Sequence, residues 1–398
     1  MRLIIFILLI LSFSVAFNIY KIPSDEDIDS YFLDNGSEYT GLIICSIHGN
    51  EPLAYNFMKK IIYNPEYFSK NFLPKNFNYL IILQPSKYRI NKNRRNTFEG
   101  FDPNRTFLNL FSKSSKFIVG LVYKYNPIFV IDIHQTKNND YEFMYGFGSF
   151  CKIINNIYQV DNRYKIATKS IYTADYYELR NLEEDLVKDS EKLFYSINQR
   201  INKYKAPGRD HAYNRISILR NFSASKGTFS VLFEFPYDQS NEKNLEVILK
   251  RYLSFLDENK EKLAKYKFLA KKLEKEYFES RYFIIPKSYD NVEDLLSLLE
   301  KFGYSYYINL VDLKDIYGLV IEDLKLSKIP EFAGFIYFDI KIKIDREVEK
   351  KEEFFIIKQD ALLNFLLNPI YGESVWNFLA VPFGIKYIPL YIYVKFGE

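Results

Sequence analysis

The sequence predicts an α/β fold: a mixed, mostly parallel sheet with interleaved helices, followed by a smaller β-rich C-terminal region. Three observations carry that expectation. Between Gly41 and Tyr237, continuous apolar runs recur among helical stretches, the pattern of strands buried on both faces of a parallel sheet. Beyond Ser280 the pattern changes to strand-like alternation, as in "FAGFIYFDIKIKID" and "IPLYIYVKF". The length of 398 residues, 48% of them apolar, exceeds one typical domain and supplies a sizeable core.

The first segment, "MRLIIFILLILSFSVAF", has a basic Arg2, an apolar run from Leu3 to Leu11, and small residues at Ser14 and Ala16. That is a secretory signal pattern, and the run is shorter than the ~20 residues a spanning helix needs. Residues 1–17 are expected to be a signal peptide and the mature chain to work outside the cytoplasm. An uncleaved membrane anchor is the alternative.

The elements then follow in order. "GLIICSI" reads as a strand, "PLAYNFMKKIIY" as a helix, and "FNYLIILQP" as a second strand closed by Pro85. "KFIVGLVYKYNP" reads as a helix, "IFVIDIH" as a third strand and "GTFSVLFEFPY" as a fourth. A long charged helix pattern, "EKNLEVILKRYLSFLDENKEKLAKYKFLAKKLEKEYFESR", comes next, and its mixed signs indicate a solvated face. A boundary is placed near Ser280, so that residues 280–398 form one or two small β-rich domains. No internal repeat or low-complexity tract is evident.

Charge excludes one class of partner. With 54 basic and 50 acidic residues the net charge is only +4, which implies no nucleic-acid partner and is compatible with weak attraction to an anionic surface such as a cell wall. Two cysteines, Cys45 and Cys151, could pair in an oxidising compartment. Cys45 lies inside an apolar strand, where a free buried thiol is the expectation.

In sheets of this kind a ligand sits outside the carboxyl ends of the strands. The first and third runs end in His48 and His134, two of only three histidines, and Glu234 stands late in the fourth. His48 and Glu51 form H-x-x-E at a strand-to-helix turn, which brings an imidazole and a carboxylate to one point. Alone this is equally a polar strand cap. A catalytic zinc site needs three protein ligands, and His134 is the candidate third. Asp132 shares the face of His134 in a strand of period two. Glu234, within an apolar strand, is either a carboxylate answering an arginine or a general base. Between these lies "RINKNRRNTFEGFDPNRTF", with Arg89, Arg94, Arg95, Asp102, Asn104 and Arg105. Arg105 has the planar donor fork that holds a carboxylate in a bidentate pair, with Asn104 as a second donor.

"HGNE", "FDPNRTF", "DIHQ" and "FEFPY", in that order from about Gly41 to Tyr237, resemble the motifs of the carboxypeptidase A-like zinc metallocarboxypeptidase family. The resemblance implies an α/β/α catalytic domain over residues 18–279 and one Zn²⁺ held by His48, Glu51 and His134. It implies that Asn104 and Arg105 hold the substrate's terminal carboxylate, that Glu234 is general base and acid, and that Asp102 accepts from the first ligand histidine. An arginine upstream of D-x-N-R stabilises the oxyanion in that family. Arg94 and Arg95 both fit, and Arg95 is preferred because it lies nearer the motif. Tyr213 has the offset of the family's closing tyrosine, although His211 and Arg215 are neighbours that could substitute. Pro103 departs from the usual small or aliphatic residue.

With its signal pattern and β-rich extension, the chain looks most like the secreted peptidoglycan D,L-carboxypeptidases of helical Gram-negative bacteria. That likeness implies a periplasmic enzyme acting on uncrosslinked stem peptides, tripeptide to dipeptide with release of meso-diaminopimelate, and so influencing cell shape. Two other readings compete: an acylamino-acid deacylase of the aspartoacylase and succinylglutamate desuccinylase type, and a non-catalytic secreted wall-binding protein on a peptidase scaffold.

Overall fold

The computed structural model describes residues 18–24, 28–64, 72–84, 95–97, 102–107, 110, 112–136, 141–163, 169–197, 201–203, 216, 218–237, 241–288, 292–312, 316–326, 338–345, 351–367 and 390–394. The expected signal segment 1–17, together with Arg89, Arg94, His211, Tyr213 and Arg215, lies outside the described residues.

Eight strands build the larger sheet: β1 (Asn18–Lys21), β2 (Asp29–Asp34), β3 (Thr40–Cys45), β4 (Asn78–Gln84), β5 (Phe129–Thr136), β6 (Phe143–Phe147), β7 (Ile201–Lys203) and β8 (Phe229–Pro236). Their spatial order is β1-β2-β4-β3-β5-β8-β6-β7. The four central strands, β4, β3, β5 and β8, are mutually parallel, and the β6–β7 pairing is parallel too. The remaining pairings, β1–β2, β2–β4 and β6–β8, are antiparallel. Every residue of β3 and β4 is buried, which is why these strands read as unbroken apolar runs. The predicted class, a mixed α/β sheet with a smaller β-rich unit after it, is the architecture found.

The chain passes from β3 to its neighbour β4, then returns past β3 to form β5 on the other side. The crossing makes the carboxyl ends of β3 and β5 the switch point of the sheet, where side chains from two diverging connections face one crevice. Close packing at the opposite end of this strand pair depends on Gly41: a Cβ there would lie 2.0 Å from Phe129 Cζ.

Helix α1 (Pro52–Tyr63) follows β3, with Pro52 in its first turn. It buries Leu53, Ala54, Phe57, Met58, Ile61 and Ile62, one stripe at helical spacing, against β3, β4 and β5. Helix α2 (Lys113–Tyr125) starts one turn earlier than the apolar pattern suggests, because Ser112 caps it by accepting from the Ser115 N–H. It ends at Asn126, whose φ of 45° is the left-handed stop that asparagine tolerates.

Helices α3 (Phe150–Arg163), α4 (Ala174–Ile197) and α5 (Leu219–Ser225) occupy the span between β6 and β8. The long charged helix of the sequence is two helices, α6 (Asn241–Glu258) and α7 (Lys260–Tyr277). The break falls at Asn259, whose side chain donates to the Phe255 carbonyl and so competes with continued helix.

The C-terminal unit contains β9 (Arg281–Pro286), α8 (Val292–Lys301), β10 (Tyr306–Asp312), β11 (Ile316–Leu326), β12 (Phe338–Asp345), β13 (Lys351–Lys358), α9 (Ala361–Leu367) and β14 (Leu390–Val394). Its six strands pair antiparallel throughout in the order β10-β13-β9-β14-β11-β12. A buried ion pair anchors its first strand to α3: Arg281 lies 2.6 Å from Asp161, which also accepts from the Tyr277 hydroxyl at 2.6 Å. Cys45 and Cys151 are both free and buried. Among the described residues no helix is long and apolar enough to cross a membrane.

Candidate metal centre

At the end of β3 the backbone leaves the sheet through Ser46, whose φ of 56° is costly for a residue with a side chain. The Ser46 hydroxyl secures the turn by donating to the Glu51 carbonyl and accepting from the Tyr55 N–H. The Glu51 N–H donates to the His48 carbonyl at 3.1 Å, which closes the loop that brings the H-x-x-E pair together. Gln135 in β5 completes the scaffold: its Oε1 accepts from the Leu53 N–H at 2.7 Å, satisfying an orphan donor in the first turn of α1. One strand thus carries His134 and fixes the helix that follows Glu51.

His48, Glu51 and His134 converge, all three buried, each offering a ligand atom within 4.8 Å of the others. His48 Nδ1 lies 2.8 Å from Glu51 Oε1, and His134 Nδ1 lies 2.9 Å from Glu51 Oε2. Each imidazole turns its other nitrogen outward to an aspartate. His48 Nε2 is 2.9 Å from Asp102 Oδ1, and His134 Nε2 is 3.1 Å from Asp132 Oδ2. When the outward nitrogen donates to a carboxylate, the tautomer is fixed and the Nδ1 lone pair points to the centre.

Asp102 is held by the chain around it. It caps a short 3-10 turn, Pro103–Arg105, accepting from the Asn104 N–H at 2.9 Å, and also accepts from Arg95 Nε at 3.0 Å. Pro103, the unusual residue of that motif, occupies the first position of the turn, where its lack of an N–H costs nothing. Asn104 sits within the cluster: its Oδ1 accepts from the Leu219 N–H at 2.9 Å, and its Nδ2 lies 3.2 Å from His134 Nε2. Its oxygen is thereby committed to the backbone at the start of α5, while its amide nitrogen lies against the second imidazole. Arg105 NH1 donates back to the Asn104 carbonyl at 2.8 Å. Arg95, with its side chain 43% exposed, spans the mouth between Asp102 and Glu51, its NH1 3.5 Å from Glu51 Oε1.

Glu234 stands in register with His134 across the β5–β8 pair. Among the described residues no arginine forms an ion pair with it. Burial, reinforced by Glu51 and opposed by His134, raises its pKa from the ordinary 4.5 to about 7. Burial also disfavours charge on Glu51, but His48 and His134 outweigh it and hold that carboxyl well below the usual range. On His134, burial opposes protonation, yet Asp132 and Glu51 prevail and raise its pKa well above normal. Glu51, Asp102, Asp132 and Glu234 place four carboxyl groups around two imidazoles. Such a set favours a cation at its centre, and two imidazole nitrogens with one carboxylate suit zinc and related divalent ions.

Two neighbours were not singled out in the sequence. Tyr237 ends the "FEFPY" stretch, and its hydroxyl accepts from Asn50 Nδ2 at 2.9 Å. Burial, with Glu51 adding to it, pushes the Tyr237 phenol up to about 12. Neither residue has a spacing rule that reveals it, because the pair is joined across 187 positions.

No protein-family profile matches the chain, and no curated protein does. Among solved structures it is similar to a metallo-carboxypeptidase from Pseudomonas aeruginosa, with 14% identity, 66% of this chain and 69% of that one covered, and a TM-score of 0.44. It is also similar to carboxypeptidase A from Helicoverpa armigera (12% identity, 67% and 70% covered, TM-score 0.38). A third similar structure is succinylglutamate desuccinylase from Chromobacterium violaceum (13% identity, 63% and 76% covered, TM-score 0.37).

Proposed function

We propose that the protein is a zinc metallocarboxypeptidase that hydrolyses the C-terminal amide bond of a peptide. The observation that supports this most is the convergence of His48, Glu51 and His134 at the switch point of the sheet, with Glu234 in register beside His134. A zinc ion held by those three residues would supply Lewis acidity toward the scissile carbonyl and lower the pKa of water. Glu234 takes a proton from the attacking water and returns it to the leaving amine, a task suited to a carboxyl whose pKa is raised towards neutrality. Arg95, the cation at the mouth, faces the developing oxyanion. Arg105 and Asn104 hold the free carboxylate of the substrate. Arg94 and Tyr213 keep the substrate-contact roles that the family resemblance implies.

The substrate class in this reading is the uncrosslinked stem peptide of peptidoglycan, met in the periplasm after export. The signal pattern and the β-rich extension support it. Metal-loaded protein is incubated with muropeptides, with linear peptides bearing free or amidated C-termini, and with N-acyl amino acids, and the products are read by mass spectrometry against a chelator control. The expected result is loss of one terminal residue from free-carboxylate substrates, muropeptide tripeptides included, and none from amides. Trimming of linear peptides alone would remove the wall substrate. Cleavage of N-acyl amino acids alone would install the deacylase reading, and inert substrates throughout would favour a binding protein.

A further inference from the structure

A cavity of about 590 Å³ lies at the other end of the same strands, between the larger sheet and the C-terminal unit. Lys226 and Thr228, just before β8, and Asn126, just before β5, form part of its wall. His134 and Glu234 are the sixth residues of β5 and β8, so roughly 17 Å of strand separates the strand starts from the metal centre.

Its charge is strongly one-sided. Lys226, Lys267, Lys271, Lys275 and Lys358 line it, drawn from α7, the β8 approach and the end of β13, against the carboxylates of Glu274 and Asp360. Both acids are already engaged, Asp360 in part by the lining lysine Lys226. Asp360 accepts from the Tyr304 hydroxyl at 2.7 Å and the Leu363 N–H at 2.6 Å and pairs with Lys226 at 3.2 Å. Glu274 accepts from the Ala361 N–H at 3.0 Å. Lys267, only 6% exposed, spends its three donors on neutral oxygens, those of Asn126, Pro127 and Thr228. Lys271 likewise donates to the Asn126 side-chain oxygen at 3.1 Å. Burial, with Lys271 and Lys226 close by, depresses the Lys267 pKa well below its ordinary value.

Gln359 is the second observation. The residue borders this cavity at 2% exposure, and neither its side-chain oxygen nor its nitrogen has a hydrogen-bond partner among the described residues. A buried amide left unpaired is costly, and a bound water or ion is one way such a group is satisfied.

We propose that this cavity binds a multiply charged oxyanion of the phosphate class, with the lysines supplying the field and Gln359 a directed donor, and that the bound anion ties the β13–α9 connection to α7. The site is independent of the reaction proposed above. Its test is isothermal titration of the full chain, at low ionic strength, with inorganic phosphate, pyrophosphate and a sugar phosphate. Wild type is compared with the double variant Lys271→Gln/Lys275→Gln and with Gln359→Leu. Lys271 and Lys275 are exposed on α7, so the double variant keeps its packing, which circular dichroism and the unliganded melting temperature verify.

Saturable one-to-one binding by wild type, weakened about tenfold or more in the double variant and also weakened in Gln359→Leu, is the expected result. Preference for the sugar phosphate would identify a phosphoryl group on a larger molecule, whereas equal affinities would identify the free ion. Absence of saturable binding up to about 10 mM of every probe, or equal affinity in wild type and the double variant, would overturn the proposal.

Discussion

Replacing Glu234 by Gln keeps the shape of the side chain and removes its titration. In the metal-free protein Glu234 has a pKa of about 7 against an ordinary 4.5, chiefly from burial. A carboxyl raised in this way binds more protons folded than unfolded between those two values. Stability therefore falls as pH rises through the window, and above pH 7 the full cost of the buried charge is present. The shift corresponds to about 3 kcal/mol, reduced to about 2 kcal/mol because the side chain is partly exposed. Urea unfolding of chelator-treated protein measures it. Glu234→Gln should exceed wild type by about 2 kcal/mol at pH 8, and the gap should shrink to under about 0.5 kcal/mol at pH 4.5. The same variant, metal-loaded, should lose about 10²-fold or more in turnover. A variant less stable than wild type at pH 8, or a gap that does not change with pH, would refute the argument that Glu234 is a carboxyl held near neutrality for proton transfer.

Three further outcomes follow from other parts of the molecule. Gly41→Ala drives a methyl into the Phe129 ring and should lower stability by about 1–3 kcal/mol, read from the denaturant midpoint. Asp102→Asn weakens the acceptor that orients His48 and Arg95; zinc affinity, measured by competition with a chromophoric chelator, should fall about 10- to 100-fold. Arg281→Met leaves Asp161 as a buried carboxylate with its charge unanswered and should cost about 3–5 kcal/mol, with the C-terminal unit becoming more sensitive to protease.

The features legible in the sequence were those whose physics is local. His48 and His134 stand out because each is polar at the end of a run that is otherwise apolar, and α1 because its buried residues repeat at helical spacing. Glu234 stands out as a carboxyl flanked by Phe233 and Phe235 inside a strand. What escaped depends on long-range pairing. Gln135 matters because of the Leu53 N–H, 82 positions away, and nothing near it in the chain reveals that role. Asn104 reads as a donor to substrate, and nothing near it in the chain reveals that its Oδ1 accepts from the Leu219 N–H, 115 positions away. The break at Asn259 was hidden because the charges on either side continue in helical register. β6 and the helices around it carry no alternation that separates them from buried helix, since all five β6 residues are covered.

In the reading proposed above, His48, Glu51 and His134 hold one divalent ion through nitrogen and oxygen donors. X-ray absorption at the zinc edge, on protein of known metal content, tests it most directly. The expected result is one zinc per chain with two imidazole nitrogens at about 2.0 Å, carboxylate oxygen and no sulfur in the shell, and loss of that ion in His134→Ala. Protein that retains no zinc after loading, a shell containing sulfur, or an unchanged site in His134→Ala would contradict it.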